Sequence, residues 1–368
     1  MSAIRSFVRR EPVLFLATLA ALLTCIPVPP DRAYLTYIDW RTLALLYCLM
    51  TVVNGLRQAG LFSHLAHTLC EKTASLRTIA VLLVGLCFFT SMLITNDVAL
   101  LTFVPFAVVV MGMAHHQREL IHVVVLQTVA ANLGSMLTPV GNPQNLYLYS
   151  FYDMGIREFL GVTFPVWILS LALILLLCLL FRKDRLEVFL GEAPGLHRDA
   201  ILLHSAMFAV CLLVVLRVIP WYVMLLVVIG VLLIVDRKLL IRADFMLLLT
   251  FVAFFVFSGN LARMESVSTA LRMLLSGREY WVALLTSQVI SNVPAALLLS
   301  DFTDQAHALL LGVNIGGLGT PIASLASLIS LKLYSHAEHS GTGRFLAEFL
   351  AVNVALLLVL SLAAQQLL

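Results

Sequence analysis

The sequence predicts an all-α, polytopic membrane protein built from two inverted-topology repeats, each with a re-entrant helical hairpin and a broken transmembrane helix. Three observations predict it. Of 368 residues, 61% are hydrophobic and only 12% are charged, about half the charged share of a typical soluble domain. Long uncharged runs recur from one end of the chain to the other. The two halves also carry matching polar breaks. The composition excludes most soluble enzymes and all disordered or fibrous classes. At roughly 20 apolar residues per span, it allows about ten membrane crossings.

The elements follow in order. The run Pro12–Pro30 comes after Arg5, Arg9 and Arg10. Its 19 uncharged residues exceed the signal-peptide core of about 7–15, so a retained first span is expected. Runs at 42–56, 159–181, 200–216, 218–235, 245–262 and 349–368 read as further spans. Segments 78–114 and 280–301 are apolar but interrupted by Thr95-Asn96-Asp97 and Ser291-Asn292-Val293; they read as hairpins that return to their own side. The uncharged runs 120–152 and 305–331 are too long for one simple helix and hold Gly and Pro near their middles. Broken helices are expected over 120–152 and 305–335. Segments 58–73 and 262–276 are of mixed polarity and suit amphipathic helices along the interfaces. The polar stretch 182–198 reads as a cytoplasmic linker between a first repeat, 1–181, and a second, 199–368.

Charge placement supports this layout. With the N-terminus in the cytoplasm, 16 Lys and Arg fall inside and seven outside, as the positive-inside rule requires. About nine full spans and two hairpins result.

The repeat is legible at a constant offset. Asn132–Asn142 (NLGSMLTPVGN) aligns with Asn314–Ser324 (NIGGLGTPIAS), 182 residues later, so Asn132 meets Asn314, Gly134 meets Gly316, Thr138 meets Thr320 and Pro139 meets Pro321. Ser91 and Ser287 each precede their hairpin break by four residues. Asp39-Trp40-Arg41 parallels Arg242-Ala243-Asp244. Five spans, an odd number, separate equivalent elements, which inverts the second repeat. Paired broken helices in inverted repeats point to a secondary transporter with its site at the midplane. A broken helix leaves N–H and C=O groups unpaired in a medium without water, at several kcal/mol each. Half-helix N-termini favour anions and free carbonyls favour cations.

Asp97 is the only acidic residue between Thr78 and Arg118, and ionisable groups at membrane depth are usually functional. It is expected to carry the coupling proton or to ligate sodium, with helix capping as the structural alternative. Other features are expected to be structural. Cys25, Cys48, Cys70, Cys87, Cys178 and Cys211 form no CxxC pair and read as reduced packing residues. No acidic or cysteine residue completes a metal site with His64/His67, His115/His116 or His336/His339, so none is expected. Asp301 and Asp304 read as solvated loop charges and Arg57 as a snorkelling span end. Net charge is only +3, without a basic stripe for nucleic acid. No GxxxxGK[ST], HExxH or GxSxG motif is present, so neither ATP-driven transport nor an enzyme is expected.

The motifs TNDVALL (95–101), LTPVGNPQN (137–145), SQVISNVP (287–294) and VNIGG (313–317) together resemble those of the YbiR-like bacterial inner-membrane proteins. These belong to the ion transporter superfamily, with ArsB/NhaD-type permeases, citrate transporter-like proteins and divalent anion:sodium symporters. The resemblance spans nearly the whole chain. It implies a mobile transport domain made of the hairpins and broken helices. It also implies a homodimeric scaffold, elevator-type movement and residence in the bacterial inner membrane. It implies two coupling-ion clusters, Ser91, Thr95, Asn96 and Gly141 in one and Ser287, Ser291, Asn292 and Ala323 in the other, with Asp97 beside the first. Hydroxyl, amide and carbonyl oxygens suit a hard cation. Substrate would lie between the tips, near Asn96, Asp97, Asn142, Pro143, Asn292, Val293 and Ser324. The symporters carry Ser-Asn-Thr at both tips; here the third residues are Asp97 and Val293. A carboxylate there opposes a dicarboxylate and is closer to the arsenite-permease pattern, where the coupling ion is a proton. The resulting expectation is an ion-coupled transporter of a small anion or oxyanion, with no cofactor beyond Na⁺ or H⁺. A Na⁺/H⁺ antiporter, an arsenite-type efflux permease and a passive channel are the alternatives.

Overall fold

The computed structural model describes residues 11–71, 75–113, 117–184, 193, 195–336 and 341–368. Arg5, Arg9, Arg10, His115, His116, His339 and most of the 182–198 linker lie outside the described residues. Every regular element among the described residues is a helix.

A framework and an inner group of helices can be distinguished. The framework begins with α1 (Pro12–Thr24) and α2 (Trp40–Gln58), followed by the amphipathic α3 (Leu61–Glu71). The inner group begins with α4 (Leu76–Ile94) and α5 (Asn96–Met113), which meet at Thr95, then α6 (Gln117–Ser135) and α7 (Pro143–Phe151), which flank the first long break. Next come α8 (Ile156–Cys178), α9 (Arg198–Val215) and α10 (Trp221–Val235). The same succession then recurs. It comprises α11 (Phe245–Arg263), amphipathic α12 (Glu265–Leu275), α13 (Glu279–Ile290) and α14 (Asn292–Leu299) meeting at Ser291, α15 (Ala306–Ile315), a 3-10 turn at Pro321–Ala323, α16 (Leu325–Ser335) and α17 (Thr342–Gln365).

Local chemistry explains the boundaries. Asp39 and Asp244 cap α2 and α11 in the same way, each accepting from the backbone N–H three residues on (Thr42 and Leu247, both at 3.0 Å). Asn142 caps α7 by accepting from Asn145 N at 2.9 Å, and Pro143 fills the first helical position, where no N–H is needed.

Among the described residues, five helices are long and apolar enough to cross a membrane, or six if α2 and α3, bent by 48° at their junction, form one span. The remaining apolar helices are shorter, and those that flank the tips and breaks, α5, α6, α15 and α16, are among them. Leucine, isoleucine and valine crowd the outward faces, as at Leu202, Leu226 and Ile234, and lipid rather than water suits such a surface. This is a multi-pass membrane protein.

The packing is exchanged between halves. Within each half the hairpin arms pack on each other and on the first part of the break, α4 and α5 with α6, α13 and α14 with α15. The second part crosses over: α7 packs on α14, and α16 packs on α5 and α6. The breaks therefore lie side by side at the centre of the molecule.

Two expectations need correction. Asp301 is no solvated loop charge: it is half-buried, accepts a short hydrogen bond from Ser258 Oγ on α11, and its backbone carbonyl accepts from Arg272 at 3.0 Å. Arg57 does not simply snorkel. Its guanidinium is half-buried and turns inward toward Leu101 O of α5, at 3.5 Å.

Candidate functional site

The site is built from two tips and two breaks. At the tips, Thr95 (φ 72°, ψ 150°) and Ser291 (φ 76°, ψ 155°) adopt nearly the same backbone. This is a region essentially reserved for glycine, costing on the order of 1–3 kcal/mol. Each tip is tied to the break of its own half. Asn96 N donates to Gly141 O (3.2 Å), and Ser291 Oγ donates to Ala323 O (3.3 Å). The break threonines repeat one pin: Thr138 Oγ1 donates to Met92 O, and Thr320 Oγ1 to Gln288 O. Each acceptor stands three residues before its tip.

Ser91 and Ser287 are fully buried and lie against the breaks through the matched glycines. A Cβ on Gly134 would stand 2.8 Å from Ser91 Oγ, and one on Gly316 would stand 2.9 Å from Ser287 Cβ. Their hydroxyls donate back along their own helices, to Phe88 O (3.0 Å) and Ala283 O (2.8 Å). The structure thus joins Asn96 to Gly141 in one half and Ser291 to Ala323 in the other, with Ser91 against Gly134 and Ser287 against Gly316.

Between the halves runs a buried lattice of amides and hydroxyls. Asn132 Oδ1 accepts from Ser324 Oγ (2.9 Å), and Asn132 Nδ2 donates to Ser327 Oγ (3.4 Å). Asn314 Oδ1 accepts from Asn142 Nδ2 (3.2 Å), and Asn314 Nδ2 donates to Asn145 Oδ1 (2.6 Å). Asn132/Asn314, Asn142/Ser324 and Asn145/Ser327 are pairs at the same 182-residue offset, so the two sets of bonds are images of each other. Sequence reasoning treated Asn132 and Asn314 only as repeat markers. Their position as polar residues inside apolar runs was the available signal.

The free carbonyls of the breaks are satisfied differently in each half. In the first, Asn145 Nδ2 reaches Ser135 O (3.4 Å), Met136 O (3.2 Å) and Thr138 O (3.2 Å). In the second, Gln288 Nε2 reaches Gly316 O (2.7 Å) and Leu318 O (2.9 Å), while its Oε1 accepts from Thr320 N (3.0 Å). The residue matching Gln288 is Met92, and the residue matching Asn145 is the shorter Ser327. Each half thus has one long amide, on opposite sides of the break. Gln288 was not singled out from the sequence.

The third tip residues diverge. Val293 is half-buried and its N–H donates to Asn292 Oδ1 (3.0 Å). Asp97 N donates likewise to Asn96 Oδ1 (3.0 Å). Asp97 Oδ1 is buried with no hydrogen-bond partner among the described residues. The Asp244 carboxylate at the start of α11 lies within electrostatic reach of it. Pro143 is buried at the start of α7.

A separate cavity of about 310 Å³ lies between α2, α7, α11 and the end of the second hairpin, with Tyr37, Asp39, Tyr147, Phe255, Arg263 and Asp301 in its wall. No group of three or more His, Cys, Asp or Glu residues suited to a metal ion occurs among the described residues.

Comparison with known proteins adds to this geometry. A family described as "Citrate transporter" matches residues 3–308. An uncharacterized transporter of Methanocaldococcus jannaschii is 31% identical over 310 residues, covering 84% of each chain. The inner membrane protein YbiR of Escherichia coli is 28% identical over 312 residues, 84% of this chain and 83% of its own. A silicon efflux transporter of Oryza sativa subsp. japonica is 29% identical over 158 residues, 42% of this chain and 32% of its own.

Proposed function

The chain belongs to the citrate transporter family, a membrane transporter on that ground, and from this premise we propose that it is an ion-coupled secondary active transporter. It moves a small anion or oxyanion across the inner membrane by an elevator-type alternating-access movement. In this reading the halves are inverted repeats and the N-terminus is cytoplasmic. The hairpins and broken helices move together against a homodimeric scaffold.

The observation that carries the proposal is the matched pair of strained tips, each held against the break of its own half. Two equivalent non-glycine residues in a costly conformation persist only where surrounding contacts impose them, and such strain gathers at ligand clamps. The two clusters offer hydroxyl, amide and carbonyl oxygens for a cation. Four half-helix N-termini, those of α5, α7, α14 and α16, begin at the tips and breaks and suit an oxyanion.

Asp97 narrows the reading. A carboxylate at the first tip repels a multiply charged carboxylate substrate, which favours a small oxyacid of low charge, the class suggested by the relative named for silicon efflux. The unpartnered Asp97 Oδ1 also supports the second reading, a cation/proton antiporter, in which this oxygen holds the exchanged ion.

Proteoliposomes loaded with the purified chain test both. Uptake of arsenite, orthosilicic acid and citrate is measured under imposed sodium and proton gradients, with Asp97→Asn and Asp244→Asn as variants. Gradient-driven uptake that loses its pH dependence in Asp97→Asn is expected. Gradient-driven sodium movement without any anion flux would favour the antiporter. Full activity of Asp97→Asn with an unchanged pH profile would remove Asp97 from coupling.

A further inference from the structure

We propose that Asn132 is the positioning residue through which ion occupancy of the first tip reaches the substrate-lining break of the opposite half, and that its repeat partner Asn314 has no such role. The inference rests on the transporter reading above.

The two asparagines are equivalent in sequence and nearly equivalent in contacts, and one difference separates them. Asn132 Oδ1 accepts two hydrogen bonds, from Ser324 Oγ (2.9 Å) and from Asn96 Nδ2 at the first tip (3.1 Å). A carboxamide oxygen has two acceptor sites, so this one atom is fully used, and it joins the first tip to the second break. Asn314 Oδ1 accepts from Asn142, and its Nδ2 donates to Asn145 and to Leu310 O (2.8 Å). No hydrogen bond joins Asn314 to the second tip among the described residues. There Asn292 Oδ1 instead accepts from Val293 N (3.0 Å), and the Ser291 hydroxyl shares its proton between Asn292 Oδ1 (3.4 Å) and Ala323 O (3.3 Å).

The link runs through one polarised amide. Asn96 Oδ1 already accepts from Asp97 N (3.0 Å) and keeps a second acceptor site for a cation. A cation there draws electron density from the carboxamide and makes Asn96 Nδ2 a stronger donor to Asn132. Hydrogen bonds in a chain polarise one another in this way, most of all in a buried site. Asn96, Asn132 and Ser324 are 5%, 4% and 1% exposed, so water does not compete. Asn132, held by the tip, orients Ser324 at the start of α16. The second half lacks the middle link, so ion occupancy there does not reach the first break by this route. Asp97, adjoining Asn96, and Asp244 across from it are the titratable groups that act on this end of the chain.

The experiment uses the full chain in nanodiscs. Apparent Kd for arsenite, orthosilicic acid and citrate is measured in sodium chloride against choline chloride, and at acid against neutral pH. In the unsubstituted protein the coupling ion is expected to tighten one probe by at least about fivefold, a usual size for coupling between sites. Asn132→Ala is expected to bring that ratio to about one, and Ser324→Ala, which cuts the same link at its other end, to do likewise. Asn314→Ala is expected to weaken the probe yet keep the ratio. A ratio retained in both Asn132→Ala and Ser324→Ala overturns the proposal, as does its loss in Asn314→Ala. No ion dependence for any probe in the unsubstituted chain overturns the transporter reading itself, and this inference with it.

Discussion

Thr95 and Ser291 stand 196 positions apart in the chain and share one backbone conformation, within 5° in both φ and ψ. Both are hydroxyl residues and neither is a glycine. Each ends the first arm of a hairpin and begins the second. Chance strain would not repeat in this way. The matching pins from Thr138 and Thr320 show how each tip is held against its break.

Thr95→Gly should raise the unfolding temperature. Relief of the strained conformation is worth about 1–3 kcal/mol, against about 0.5–1 kcal/mol lost to the freedom of glycine in the unfolded chain. The net gain is about 1 kcal/mol. Transport should fall in the same variant, because the ion cluster proposed at the first tip loses a hydroxyl. A lower unfolding temperature would show that the tip is not strained.

Gln288→Leu should be severely destabilising. It strands Gly316 O, Leu318 O and Thr320 N, and each buried unsatisfied group costs about 1–3 kcal/mol. Asn145→Leu should cost a similar amount in the first half, where it uncaps Ser135 O, Met136 O and Thr138 O. Met92→Leu, at the position matching Gln288, is expected to stay under about 1.5 kcal/mol. Thermal unfolding of the three variants in one detergent checks the ranking; an equal effect of all three would refute this account of the breaks.

Gly134→Ala and Gly316→Ala should each push a hairpin off its break. The new Cβ would lie 2.1 Å from Phe88 O of α4 in the first case, and 2.9 Å from Ser287 Cβ and 3.0 Å from Leu284 Cα of α13 in the second. A cost of about 1–3 kcal/mol follows from overpacking, with loss of transport. Gly161→Ala on α8 is the control, since nothing lies within 4 Å of its Cβ, and its stability should be equal or slightly higher. Parallel measurement of unfolding and uptake separates the two outcomes.

Arg263→Gln should change the acid stability of the loop after α1. The Arg263 guanidinium, 2.8 Å from Asp31, holds that carboxyl below its ordinary 3.8. A carboxyl depressed in the folded state adds stability above its unfolded value, and loses it as pH falls through the folded one. The variant should therefore be less stable than the parent at neutral pH, and the two should converge in strong acid. The pair is exposed, so added salt should also shrink the difference. A gap that persists in acid would assign the effect to the Arg263–Tyr37 contact instead.

Much of the architecture was legible in the chain itself. The polar interruptions at Thr95-Asn96-Asp97 and Ser291-Asn292-Val293 stand where one helix ends, at Ile94 and Ile290, and the next begins, at Asn96 and Asn292. The broken helices are divided where the Gly and Pro residues stand. These features depend on short-range causes, namely apolar runs, a proline without a donor and polar residues that cannot remain unpaired in lipid.

The partners of those polar residues were a different matter. Asn132 and Asn314 could be aligned with each other, but not with Ser324 and Asn142, because that pairing exists only where α7 and α16 cross to the opposite half. Gln288 and Asn145 perform the same task from opposite sides of a break, so the repeat pattern concealed rather than exposed it. Asp301 followed a hairpin and so suggested a solvated charge. Only the approach of α11 buries it under Ser258. The sequence by itself determined the membrane class and the positions where the helices break, since hydropathy and backbone chemistry act along the chain. The tertiary structure alone decided which amide meets which across the halves, since those contacts join residues more than a hundred positions apart and depend on how the two halves interlock.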